Sequence, residues 1–245
     1  MRRFAIISIA LAARAAAADP PPLDHVITAP TAWLPAAGAV VGSAALDQHG
    51  NSSIVVGYGL GGIAEVELDG DGDLHACGGT SCNEPLYQAR AAFRVGARQD
   101  EWFDGQPALV FGVQESLPGT RRVGDAYVVA SRTLGTGFGS WHLHAGAIAL
   151  DATADDGTRL GFTVRPIGGI ELVPAQYPKT TMMLDATWLS ELYASGPNAP
   201  VHAAWLGGFG VRYQALSWGS IELAIRASTD ENRGVVVRIN GVLGQ

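Results

Sequence analysis

Cysteine, lysine and long apolar runs are scarce in this 245-residue chain, and each scarcity excludes something. Two cysteines, Cys77 and Cys82, are too few for a disulfide-built miniprotein or a four-cysteine zinc site. Beyond the N-terminus no stretch approaches the ~20 consecutive apolar residues of a transmembrane helix, which rules out a polytopic helical membrane protein. Charged residues make up only 16% of the chain, and the net charge of −7 argues against nucleic acid as a partner. Yet 47% hydrophobic residues make the chain too apolar to be disordered.

The first segment reads as an export signal. Met1-Arg2-Arg3 supplies a positive start, Phe4 to Ala13 an apolar core, and Ala15-Ala16-Ala17-Ala18 the small residues of a cleavage site before Asp19. Residues 1–18 are therefore expected to be removed by ordinary Sec export. Taking Arg2, Arg3 and Arg14 from the 16 basic residues leaves 13 against 23 acidic ones, a net charge of −10, and Lys179 is the one lysine. In an oxidising compartment Cys77 and Cys82 are expected to pair across Gly78-Gly79-Thr80-Ser81. A metal reading of the two thiols is weaker, since zinc would be left half-coordinated without nearby histidines.

From Gly38 onward, segments of about ten residues alternate apolar with small or polar side chains, separated by clusters of Gly, Asp, Asn, Pro and Thr. Leu86–Ala97 sets Tyr87, Ala89, Ala91, Phe93 and Val95 against Gln88, Arg90, Ala92, Arg94 and Gly96. Val201–Gln214 and Ser220–Ser228 behave alike, the latter opposing Ile221, Leu223 and Ile225 to Glu222, Ala224 and Arg226. Such segments fall near 39–47, 52–60, 63–68, 86–97, 107–116, 124–133, 140–150, 160–173, 180–192, 201–214, 219–228 and 234–243. No helical period competes after the signal. The chain is predicted to be all-β, with residues 19–37 as an N-terminal periplasmic segment and 38–245 as one domain.

Alternation alone does not separate a soluble sandwich from a membrane barrel. Segment length does help, because a tilted bilayer crossing takes ~9–11 residues against a mode of ~5–6 in globular sheets. The polar face carries charges of both signs among Gly, Ala and Ser, which suits a narrow lumen. The candidates for ion pairing there are Arg90, Arg94, Glu171, Asp185, Arg212, Glu222, Arg226 and Arg238. Tyr87, Tyr127, Trp141, Tyr193, Tyr213 and Trp218 near segment ends are expected to form interfacial girdles. The fold expected is an antiparallel up-and-down transmembrane β-barrel of about 12 strands. Outward loops are then 48–51, 69–85, 117–123, 151–159, 193–200 and 229–233, and the 98–106 connection is long for a periplasmic turn.

Over residues 38–245 the chain resembles the bacterial outer-membrane β-barrels. Thr28-Ala29-Pro30-Thr31-Ala32 followed by Gly38, together with Gly168-Gly169-Ile170-Glu171, is similar to the exopolysaccharide-associated barrels of that class. The resemblance implies outer-membrane lipid and the outer-membrane assembly machinery as partners, and a small solute or polysaccharide as cargo. One departure is the C-terminus, Val242-Leu243-Gly244-Gln245, where many such barrels end in an aromatic residue used in assembly.

The chemical motifs are sparse. Asp69-Gly70-Asp71-Gly72-Asp73 starts like a calcium loop, but Leu74 and Thr80 stand where that pattern needs Gly and Glu, so a solvated acidic loop is expected. His142 and His144 share a strand face without a metal or hydrolase signature, and Ser140 with His142 is the weak enzymatic candidate. Gly57, Gly59, Gly61 and Gly62 precede no helix and read as strand curvature and a turn, not a phosphate loop. No catalytic residue, metal or cofactor is assigned. The expected function is non-enzymatic: small-solute passage through a narrow lumen, or an envelope structural or assembly role. The alternatives are an outer-membrane lipid-modifying enzyme, marked by a Ser/His/acid cluster at one rim, and a soluble secreted β-protein that binds a ligand or carbohydrate.

Overall fold

A computed structural model describes residues 23, 25–48, 50, 52–72, 87–117, 122–153, 157, 159–192, 201–228 and 234–244. The expected signal peptide, Cys77, Cys82 and Asp73 lie outside the described residues.

The described residues form twelve strands and no helix. They are β1 (Val40–Asp47), β2 (Ser52–Leu60), β3 (Ala64–Gly72), β4 (Tyr87–Ala97), β5 (Ala108–Ser116) and β6 (Arg122–Thr136), followed by β7 (Gly139–Thr153), β8 (Thr163–Pro174), β9 (Thr180–Leu192), β10 (Val201–Leu216), β11 (Gly219–Ser228) and β12 (Gly234–Leu243). Every strand pairs with its chain neighbours, and β1 closes on β12 from Val40↔Leu243 to Asp47↔Val236. Closure leaves no edge, the condition for a sheet to sit in lipid.

The two faces decide the solvent. On β11 Ile221, Leu223 and Ile225 point outward and are 49%, 55% and 59% exposed, while Glu222 and Arg226 point inward at 0% and 4%. Phe93, Trp205 and Phe209, which a soluble sandwich would place in its core, are on the exposed outer face. Charge inside and apolar side chains outside is stable only where the outer surface meets hydrocarbon. The chain is a transmembrane barrel.

At the rim that carries both barrel termini, the turns are rich in aromatics and, except for the one after β4, short. Phe138, Tyr177, Tyr213 and Trp218 are exposed there, joined by Trp102 and Phe103, at the level where amphipathic rings favour the headgroups. Tyr127, expected in a girdle, instead faces the lumen and is buried. The long connection after β4 is a folded turn. Asp100 has φ 58° and Gly105 φ 88°. Gly105 N–H donates to Asp100 Oδ1 (2.7 Å), Arg98 N–H to Glu101 Oε2 (2.7 Å) and Trp102 N–H to the buried Gln106 Oε1 (2.9 Å). Thr133 N–H on Gln99 Oε1 (2.8 Å), and Arg132 on the Gly105 carbonyl, fasten the turn to β6.

Two boundaries differ from expectation. The acidic run does not begin a loop at residue 69: β3 continues to Gly72, because Glu65, Glu67 and Asp69 keep the inward alternation and Asp69 meets Arg90 across the ladder. The gap between the segments expected at 124–133 and 140–150 contracts, since β6 and β7 pair as far as Thr136↔Gly139.

The wall is uneven at one place. β8 pairs with β9 only from Leu172↔Met182 to Gly168↔Ala186. Past that point Trp188 and Ala203, on the β9–β10 hairpin, pack against an inner-wall cluster that includes Ile148, Leu150 and Ile167. The guanidinium of Arg165 lies 5.4 Å from the Trp188 ring centroid. Pro166, which has no N–H to donate, sits in the part of β8 where the ladder stops.

Candidate functional site: a strap inside the lumen

Of the segment expected in the periplasm, the described residues 25–32 lie within the barrel. Val26, Ile27, Ala29, Thr31 and Ala32 are buried at 2% exposure or less, inside the barrel. The cause lies in the segment's own backbone. Val26 N–H donates to the Ala29 carbonyl (2.9 Å), His25 bridges Pro30, and Thr31 Oγ1 donates to the Leu23 carbonyl (2.7 Å). Residues 25–30 therefore form a tight re-entrant turn. Leu23 packs with Ala39, Val41 and Val242 at the terminal rim, so both legs of the turn start from that end.

A chain in a lumen must have its peptide groups satisfied, and here wall side chains do it. Asp185 Oδ2 on β9 accepts from Ile27 N–H (3.0 Å), Thr28 N–H (2.6 Å), Ala29 N–H (2.7 Å) and Thr28 Oγ1 (3.2 Å). Three successive N–H groups aimed at one oxygen make an anion nest. The carbonyls go the other way. Arg212 Nη2 donates to Val26 O (2.6 Å), Arg238 Nη1 to Ile27 O (2.6 Å), and Arg94 Nη2 to Thr31 O (2.6 Å) and Trp33 O (3.1 Å). Ala32 N–H donates to Ser131 Oγ (2.7 Å). The wall also makes room. A Cβ on Gly208 would lie 3.0 Å from Ile27 Cδ1, and one on Gly169 would lie 2.7 Å from Val26 Cγ2.

The guanidiniums that hold the strap are themselves held. Glu222 Oε2 accepts from Arg212 Nη2 (3.0 Å), and Oε1 accepts from Arg238 Nη1 (3.0 Å). Arg212 Nη1 also donates to Glu171 Oε1 (3.0 Å), and Arg94 Nη1 to Glu65 Oε2 (2.8 Å). Arg90 pairs with Asp69 nearer the loop rim. Of the residues proposed from sequence for lumen ion pairs, Arg212, Glu171, Glu222 and Arg238 thus meet in one network, while Arg90 and Arg94 make separate pairs with β3. Arg226 is buried on the lumen wall beside the remaining cavity. Asp185 differs from the others, since no guanidinium reaches it among the described residues. The strap's N–H groups take the place of a cation.

Asp69, expected in the 69–85 loop, is the partner of Arg90, and nothing in the alternating pattern had placed the strap in the lumen. A signal was present. Gly169 on β8 and Gly208 on β10 flank Asp185 in register, so the lumen wall on either side of that carboxylate carries no side chain.

His144, Ser131 and Glu171 form a serine, histidine and carboxylate row. Ser131 Oγ is 2.7 Å from His144 Nδ1, and His144 Nε2 is 3.4 Å from Glu171 Oε2. It is not at a rim, where the enzymatic reading requires it. Ser131 is fully buried, its oxygen accepts the Ala32 N–H, and Glu171 is shared with Arg212. A nucleophile needs an open approach to a substrate carbon, and this hydroxyl faces the strap. His142 bonds Thr133 Oγ1 (2.9 Å), and Trp33 sets its ring edge-on to both histidines at 6.1 and 6.0 Å.

Closure, inverted polarity and a strapped lumen define the class: a membrane-spanning β-barrel with the architecture of bacterial outer-membrane proteins. Among solved structures, a KdgM porin superposes with a TM-score of 0.53 at 5% identity, covering 84% of this chain and 99% of that one. A second, the KdgM porin in complex with disordered oligogalacturonate, gives 0.51 at 6% identity over 84% and 99%. A NanC porin structure gives 0.48 at 12% identity over 83% and 97%. The likeness to the two KdgM structures is one of fold. No protein-family profile matches the chain, and no curated protein sequence matches it.

Proposed function

We propose that the chain is a non-enzymatic outer-membrane barrel that passes small solutes through a narrow lumen, with its N-terminal strap as the constriction. The observation that supports this is the attachment of residues 26–32 to five strands of the lumen wall by Asp185, Arg212, Arg238, Arg94 and Ser131. A purely structural barrel would fill its interior with wall side chains. This one leaves glycines opposite a separate segment and keeps a cavity of about 180 Å³ beside it. A barrel of the same fold, the KdgM porin, has been solved with oligogalacturonate. With the strap seated, the space here suits single small molecules and not an extended oligosaccharide.

The test is swelling of proteoliposomes in solutes of graded size. Passage of small solutes with exclusion of oligosaccharides is the expected result. Removing residues 19–37 should raise the size limit. A barrel that passes no solute with or without the strap would refute the proposal and leave an envelope structural role.

A further inference from the structure

The break between β8 and β9 has a form of its own. Their ladder ends at Gly168↔Ala186, although β8 begins five residues earlier at Thr163 and β9 runs on to Leu192. Along β9, Asp185 and Thr187 face inward, so Trp188 belongs by alternation with the outward Leu184. On β10, Ala203 belongs likewise with the outward Trp205 and Phe209. Yet Trp188 and Ala203 pack against the cluster of Ile148, Leu150 and Ile167, the inward side chains of β7 and β8. The outer face of one hairpin therefore rests on the inner face of the neighbouring strands. The wall is lapped here, with the end of β9–β10 inside and residues 163–167 of β8 outside.

A lapped wall has a slot between its layers. The outer mouth of this one lies among exposed Phe162 and Val164 on β8 and Trp205 on β10, so it faces hydrocarbon. At its inner end Trp188, with Ile148 and Leu206, lines the lumen cavity of about 180 Å³. Unpaired backbone at membrane depth persists only where protein or a cavity covers it. Pro166 removes one donor from the free edge, and Arg165 Nη1 donates to the Val164 carbonyl (3.3 Å) on the stretch that β9 does not reach. The same guanidinium covers the Trp188 ring. Side-chain packing holds the two layers where the ladder is missing. We infer that the slot is a lateral port, through which a small apolar molecule the size of one aromatic ring moves between the lumen cavity and the bilayer by displacing Trp188. The lining of Ile148, Leu150, Ile167 and Ala203 selects for such a molecule, and an apolar space of ~150 Å³ takes benzene. This route goes beyond the axial passage proposed above and is of opposite polarity to it.

The experiment is fluorescence quenching of the mature barrel reconstituted in vesicles, with conductance measured in parallel. Subtracting Trp188→Phe isolates the Trp188 signal, and Trp205→Phe is the control for a lipid-facing indole. Lipids brominated on their acyl chains stay in the bilayer and acrylamide stays in water, and each should quench Trp188. Bromobenzene should quench it saturably, a component absent in Trp188→Phe and kept in Trp205→Phe. Ile167→Ser, or Leu150→Ser if the first does not fold, should weaken that saturation at least fivefold. Quenching of Trp188 by brominated lipid alone, by acrylamide alone or by neither would overturn the port. Bromobenzene quenching that rises only in proportion to its concentration in the bilayer would overturn it too, as would unchanged affinity in the folded serine variant. Conductance in a barrel that fails these tests leaves axial passage standing. Saturable, two-sided quenching in a barrel that does not conduct supports the port and overturns axial passage.

Discussion

Replacing Asp185 with alanine removes the one oxygen that three consecutive strap amides share, at 3.0, 2.6 and 2.7 Å. Hydrogen bonds to a charged acceptor contribute roughly 1.5–3 kcal/mol each. Two effects reduce the sum. Burying the carboxylate carries its own desolvation cost, recovered when it is deleted, and water can enter the vacated space to solvate part of the nest. A net loss of about 2–4 kcal/mol in strap seating follows, equivalent to roughly 30- to 1,000-fold in the seated-to-released ratio. The barrel itself does not depend on this contact, because its ladders close without the strap. Hydrogen exchange read by mass spectrometry separates the two. Amides of residues 26–32 should exchange faster in Asp185→Ala by about that factor, with β6 and β7 amides unchanged. Asp185→Asn keeps one acceptor oxygen and should fall between. Unchanged protection of 26–32 in a folded Asp185→Ala barrel would refute the view that this carboxylate seats the strap.

Three further outcomes follow from the same geometry. Gly208→Val puts carbon where Ile27 packs, so conductance should rise while the sheet signal in circular dichroism is retained; an unchanged conductance would count against a wall shaped for the strap. Glu222→Ala strips Arg212 and Arg238 of their shared acceptor, and removing one side of a buried pair costs about 3–5 kcal/mol, so the denaturant midpoint should fall clearly. Asp100 is held below the usual carboxylate range by the Gln99 side chain and the Gly105 N–H. A carboxylate with a lowered folded value stabilises above its unfolded value and loses that contribution as pH falls through the folded one. Exposed Trp102 should thus show a fluorescence transition at acid pH that Asp100→Asn abolishes, since asparagine tolerates the left-handed backbone at φ 58°.

Much of the barrel was legible in the sequence because β pattern and burial coincide where the outer face meets lipid. Ile221, Leu223 and Ile225 against Glu222 and Arg226 is a period of two with charge on the enclosed side, and the structure places them so. The acidic run misled through composition. Asp-Gly-Asp reads as a turn, yet Asp69 continues the inward series of Glu65 and Glu67 and finds a guanidinium on β4. The strap was illegible for a deeper reason. Val26-Ile27-Thr28-Ala29-Pro30 carries no periodic pattern, and its anchors are peptide groups, which every residue possesses. Asp185 likewise looked like an ion-pair partner because side-chain identity does not disclose a nest of backbone N–H groups. The glycines beside it, on β8 and β10, were the trace that such a segment leaves.

Whether the chain closes its own pore from within is read most directly by single-channel conductance in planar bilayers. The barrel with residues 19–37 is compared with the barrel from which they have been removed. A low, narrow-lumen conductance is expected for the first and a severalfold larger one for the second, with both proteins folded in the membrane. Equal conductance of the two folded barrels would contradict closure from within.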